Sequence, residues 1–218
     1  KLPKYKININ REINKVLLKP IFILDSIFYK KTMFSCGEII IDRRVKSYLT
    51  KYINTQNTHQ KRDIINVFLK NSDLDTSILE QINVDKIIYD FFRENNINLD
   101  DYSYDFIEEI DELYSTNKTN KSKVTSKAIE NYHIDGHVPN IFKGFKTFRI
   151  LILVDKDTND NSYTDFFDQN LCKGNYWVFD YNRQVHRGVL DTNPEIIDNR
   201  ILIKKHFIIF PKRNSSRL

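Results

Sequence analysis

From about residue 128 the chain abandons helical spacing. Its apolar residues gather in short β-branched and aromatic runs: Phe148-Arg149-Ile150-Leu151-Ile152-Leu153-Val154, Tyr176-Trp177-Val178-Phe179-Asp180, Ile201-Leu202-Ile203 and Phe207-Ile208-Ile209-Phe210-Pro211. Such runs, separated by polar turn formers and with no helical pattern between them, predict an all-β sandwich or barrel. Glycine placement agrees, since Gly136, Gly144, Gly174 and Gly188 fall in this part and only Gly37 lies earlier.

Residues 1–127 have a different texture and read as a helical support region with a few strands. Ile64, Ile65, Phe68 and Leu69 recur at helical spacing, as do Ile78, Leu79, Ile82, Ile87, Ile88, Phe91 and Phe92. Phe106, Ile110, Leu113 and Tyr114 continue the period, and each stripe needs a surface to pack on. The β-branched run Glu38-Ile39-Ile40-Ile41-Asp42 predicts a strand, and the polar stretch from Ser115 to Lys127 a surface loop. The expected fold class is α+β with a mainly β core. In it, 1–127 packs on 128–218 and the two form one domain.

A chain of 218 residues with 40% apolar side chains buries enough surface to fold without staples. The net charge of +5 is small beside 34 basic and 29 acidic residues spread along the chain. No basic stripe interleaved with aromatics stands out, so nucleic acid is not an expected partner. Cys36 and Cys172 lack metal-ligand spacing and are expected as free thiols. The run Ile21-Phe22-Ile23-Leu24 ends at Asp25, far short of a membrane span. The expectation is a soluble, cytoplasmic protein of unassigned oligomeric state.

Four of the five histidines lie in the β-rich part. In Tyr132-His133-Ile134-Asp135-Gly136-His137, residues 133 and 135 share one face if the segment is extended, presenting an imidazole and a carboxylate to one point. His186 follows the aromatic strand 53 residues after His133 and supplies a third ligand from a neighbouring strand. Two histidines and one carboxylate form the facial triad of non-haem iron sites. His137 competes with His186 for that place, although Gly136 and Pro139 argue against a straight strand there. Arg200 opens an apolar strand, where a guanidinium is costly unless it meets an anion.

The order His133-x-Asp135, then His186, then Arg200 resembles the iron(II)- and 2-oxoglutarate-dependent oxygenase superfamily, over about residues 128–211. That resemblance implies a double-stranded β-helix (a jelly roll of cupin-like form) with flanking N-terminal helices. It implies Fe(II) on His133, Asp135 and His186, with Arg200 binding the far carboxylate of 2-oxoglutarate and O2 as the oxidant. The implied activity is hydroxylation of an amino acid, a peptidyl residue or another small molecule, coupled to decarboxylation of 2-oxoglutarate to succinate. Within the superfamily, 179–203 is most similar to the aspartyl/asparaginyl β-hydroxylase-like and proline hydroxylase branch. There, an Arg on the strand after the first ligand pair matches Arg149, as a cosubstrate or substrate anchor or as a strand residue paired with an acid. Tyr132, Trp177 and His137 are candidate substrate-pocket residues, with Trp177 also a natural core residue. His206 is expected to be a surface or structural histidine. The alternative reading is a cupin-like module that binds a metal or ligand without catalysis.

Overall fold

The computed structural model describes residues 33–60, 64–117, 132–135, 146–156, 163–167, 169–170, 172–189 and 199–212. Its centre is one long strand, β9 (Asn199–Pro211). On one edge β9 pairs with β5 (Lys146–Lys156), placing Arg149 opposite His206 and Leu151 opposite Lys204. On its other edge β4 (Glu112–Asn117) pairs with the first half and β3 (Tyr102–Phe106) with the second. With β1 (Phe34–Gly37), β2 (Ile64–Phe68) and β7 (Tyr176–Asp180), these make a seven-stranded sheet in the order β1-β7-β5-β9-β4-β2, β3 also lying on β9. Every pairing is antiparallel. A smaller sheet holds β6 (Tyr163–Phe166) and β8 (His186–Val189).

Both faces of the large sheet are apolar, because successive side chains on a strand point to opposite sides. One face, with Phe148, Ile150, Ile152, Val178, Ile201, Ile203 and Phe207, packs against α1 (Arg43–Gln60) and α2 (Val84–Glu94). Helix α1 contributes Val45, Leu49 and Ile53, one turn apart and essentially inaccessible. Asn83 caps α2 by accepting from the Lys86 amide at 3.0 Å, Asp85 sits in its first turn, and Asn96 ends it in the left-handed region at φ 54°. Between the layers Phe91 meets Phe148 at 4.8 Å and Phe207 at 5.9 Å. The other face presents Leu151, Trp177, Phe179 and Leu202 to Phe166 of the small sheet.

The expected β core is therefore present as antiparallel sheet, but the first part is less helical than its spacing predicts. The stripe at 64–69 is strand β2 running into a 3-10 turn at Leu69–Asn71, and the stripe at 106–114 runs through β3, a 3-10 turn and β4. A short strand followed by a turn imitates helical spacing when only four apolar residues define it. Ser115 belongs to β4 rather than to a loop; 118–127 lies outside the described residues. The strand expected at 38–42 is an extended connection, and β1 precedes it. Strands from the first part join the same sheet as β5, β7 and β9, so no helical annex separates from a β core at 127.

The expectation of free thiols is also corrected: Cys36 and Cys172 form a disulfide across 136 residues. Antiparallel pairing of β1 with β7 brings the segment that feeds β7 alongside Cys36. Asn175 fixes the approach, its amide donating to the Gly37 carbonyl at 2.9 Å and its side chain bridging the Ile39 backbone. A Cβ on Gly174 would lie 2.3 Å from the Gly37 oxygen, so only glycine fits there. Among the described residues no helix is long and apolar enough to cross a membrane.

Candidate metal centre

His133 and His186 stand directly opposite each other, each backbone amide donating to the other's carbonyl at 2.9 Å. This pairing makes 132–135 a further partner for β8, and it brings the two imidazole centroids to 4.6 Å. Asp135, two residues beyond His133, returns to the same side. Its Oδ1 lies 3.6 Å from His133 Nε2 and its Oδ2 3.1 Å from His186 Nε2. One ligand atom from each residue falls within 4.8 Å of the others, a donor set that fits a divalent transition-metal ion. His137 lies outside the described residues.

The surroundings orient these donors. His186 Nδ1 sits 3.2 Å from the Gln184 carbonyl, so that nitrogen carries the proton and Nε2 keeps its lone pair toward Asp135. Gln184 is held in turn, its amide donating to the Phe167 and Val185 carbonyls at 2.9 and 3.1 Å. Phe166 and Phe179 pack against the His186 ring at 5.7 and 5.1 Å and keep water from its inner side. Tyr132, one residue before His133 on an extended segment, faces the other way. Its hydroxyl donates to Asp165 Oδ2 at 2.7 Å, and the same oxygen accepts from Arg187 Nε at 2.9 Å. That clamp fastens 132–135 to the small sheet. Trp177 lies between the sheets, 8% exposed, and so lines the core rather than an open pocket.

Beneath the triad the large sheet presents a polar floor. Arg149, 4% exposed, donates through Nη1 to Asp135 Oδ2 and through Nε to His206 Nε2 at 2.8 Å. Burial alone would raise the Asp135 carboxyl, but Arg149 and His186 outweigh it and hold the group well below the usual range. Lys204 lies across from Glu112, Nζ to Oε2 3.1 Å, and over the Tyr114 ring at 4.2 Å. Burial and then Arg149 lower the Lys204 ammonium, against the pull of Asp135 and Glu112. Arg200 is buried as well, but it pairs in register with Lys156, six residues along β9 from His206. At about 3.3 Å per residue that separates the two by roughly 20 Å.

Two floor residues escaped the reading of the sequence. Lys204 looks like part of a surface Lys-Lys pair, and His206 follows it; the structure makes His206 fully buried rather than a surface residue. The available signal is period 2 along β9, where Arg200, Leu202, Lys204 and His206 must share one face.

No protein-family model matches this chain, and no curated protein matches it in sequence.

Proposed function

We propose that the protein is an Fe(II)- and 2-oxoglutarate-dependent dioxygenase that hydroxylates an amino acid, a peptidyl residue or another small molecule. The observation that carries this reading is the His133, Asp135, His186 cluster, built on a small sheet and facing a buried basic floor. The path of the chain supports a double-stranded β-helix as the scaffold. It visits the sheets alternately: β4 in the large one, 132–135 beside β8, β5 large, β6 small, β7 large, β8 small and β9 large. Alternation of this kind winds two strands together into a jelly roll, with the site between the layers.

In this reading His133, Asp135 and His186 hold the metal. When bound, the ion with 2-oxoglutarate and O2 would supply C–H oxidation coupled to decarboxylation of the oxoacid. The chain's own residues do the rest. The Gln184 carbonyl fixes the His186 tautomer, Arg149 keeps Asp135 ionised, and Phe166 and Phe179 dry one side of the centre. Lys204 is better placed than Arg200 to attract the far carboxylate of 2-oxoglutarate, since its charge already acts on Asp135.

A cupin-like binding module without oxidation is the second reading. It is favoured by one observation: Arg149 and Lys204 already have carboxylate partners in Asp135 and Glu112. Succinate release from 2-oxoglutarate, screened over amino acids and peptides with Fe(II) present, separates the two. Turnover that disappears in Asp135→Ala supports the dioxygenase. A protein that binds Fe(II) but gives no visible band with 2-oxoglutarate under anaerobic conditions, and no succinate with any substrate, is the module.

A further inference from the structure

We infer that Arg149 is a positioning residue for Asp135, locked into that role by a buried chain through His206 to Asp111. The inference rests on the metal-centre reading above. It takes Arg149 away from the anchoring of any small molecule, and it gives residues before 127 a part in the site.

Donor and acceptor chemistry leaves this chain a single arrangement. A guanidinium only donates. Arg149 Nε–H therefore donates to His206 Nε2, 2.8 Å away, and that nitrogen must carry a lone pair. The ring proton then sits on Nδ1, 3.2 Å from Asp111 Oδ1, which accepts it. The same oxygen accepts from the His206 backbone amide at 2.8 Å, so the carboxylate cannot turn away without losing two bonds. His206 is thus held neutral in one tautomer, and it holds the Arg149 fork so that Nη1 meets Asp135 Oδ2.

Packing closes the alternatives. Arg149, His206 and Asp111 are 4%, 0% and 3% exposed. Tyr181 covers the guanidinium, with Cζ 4.6 Å from the ring centroid, and packs edge-on against His206 at 5.0 Å. Swinging Arg149 toward a ligand carboxylate would strip Asp135 and His206 of their partners in a dry interior, at a cost no single new ion pair recovers. At the outer end the Asp111 carbonyl accepts from the Leu69 amide at 2.9 Å, tying the chain to the turn after β2. Groups that orient a metal ligand from behind typically change metal affinity by about 10–100-fold when removed.

The test uses the full chain and Co(II), which reports affinity and, through its visible spectrum, ligand geometry. His206→Leu should weaken Co(II) binding at least tenfold and alter the spectrum. His206→Gln, which can accept from Arg149 and donate to Asp111, should restore affinity to within about threefold. Arg149→Lys keeps the charge but loses the fork, and should also lose about tenfold; it carries the test if His206→Leu does not fold. Wild-type affinity and spectrum in a folded His206→Leu or Arg149→Lys would overturn the inference, as would a His206→Gln no better than the leucine variant. Should the wild type bind no metal, the metal reading fails by itself, and the chain is judged on the apo protein. Unfolding midpoints of Asp135→Asn, His206→Gln and the double variant should then fail to add, and strict additivity overturns it.

Discussion

The proton on His186 Nδ1 points at the carbonyl oxygen of Gln184, 3.2 Å away and two residues earlier in the chain. A backbone acceptor so close in sequence is set by the turn into β8, so this ligand is prepared before any ion arrives. His133 has no such floor beneath it, and its side chain is 22% exposed. The two histidines and Asp135 therefore differ in what their loss should do.

Asp135→Ala should abolish metal binding and also destabilise the apo protein by about 3 kcal/mol, because it strands the buried Arg149 guanidinium. The lower end of the usual range applies, since 22% of the Asp135 side chain meets solvent. His133→Ala should abolish metal binding at a cost of about 1 kcal/mol or less. In the wild type, a divalent ion at 100 times its dissociation constant adds about 2.7 kcal/mol, a rise of roughly 5–10 °C in melting temperature that EDTA reverses. Melting curves of the three proteins with and without metal check this. Equal apo stability of the two variants would remove the Arg149–Asp135 pair from the account.

Acid should weaken the fold through His206. Burial lowers its pKa, with Asp111 opposing less strongly. The unfolded histidine takes up a proton near pH 6.5 while the folded one still resists, so the unfolded state binds more protons below that point. Stability should be unaffected by this group above about pH 7 and fall as pH drops below 6.5, by at most about 1.4 kcal/mol per pH unit. Urea midpoints at pH 7.5, 6.5 and 5.5 should show a shallower acid slope in His206→Gln. Parallel slopes would mean that His206 protonates freely in the folded state.

Reduction should loosen the β1 edge of the large sheet. The Cys36–Cys172 bridge closes 136 residues and holds β1 beside the segment entering β7. Cross-links over loops of this size typically contribute about 2–4 kcal/mol. Cys172→Ser, or dithiothreitol, should lower the melting temperature by roughly 4–16 °C. Such bridges persist mainly in oxidising compartments, so mass spectrometry of protein from its native source also bears on the cytoplasmic expectation. A fully reduced pair with an unchanged melting temperature would show the link to be dispensable.

How much of this was legible beforehand depends on the distance between partners. The strands β5, β7 and β9 announce themselves because their apolar runs are long and β-branched, and the spacing of His133 to Asp135 needs only local extension to work. β2 and β4 do not, since their inward residues, such as Ile65 and Leu113, are few and run into turns that restore helical spacing. The floor is hidden for a different reason. What makes Lys204 and His206 interior residues is Glu112 and Asp111, more than 90 residues earlier, together with Arg149 across the β5 ladder. Nothing local marks a basic strand as buried when its counter-charges arrive only through register.

The same register decides between two candidates for the 2-oxoglutarate anchor. Arg200 and Lys204 both lie on the site face of β9, four residues apart, but only Lys204 stands next to the Arg149–His206 rung. A five-carbon diacid bound at the triad cannot span the roughly 20 Å of strand between that rung and Arg200. Lys204, two residues from the rung, is within reach once its ammonium leaves Glu112. Lys204→Met should raise the half-saturating 2-oxoglutarate concentration by about tenfold or more, the loss of a charge-assisted contact of about 1.5–3 kcal/mol, and leave Co(II) affinity within about threefold. Glu112→Gln frees the ammonium and should lower that concentration. Arg200→Met should leave it unchanged. Steady-state succinate release against 2-oxoglutarate concentration, with Co(II) titration as control, measures all three. A large rise confined to Arg200→Met would place the anchor at the far end of β9 and require the diacid to enter from there.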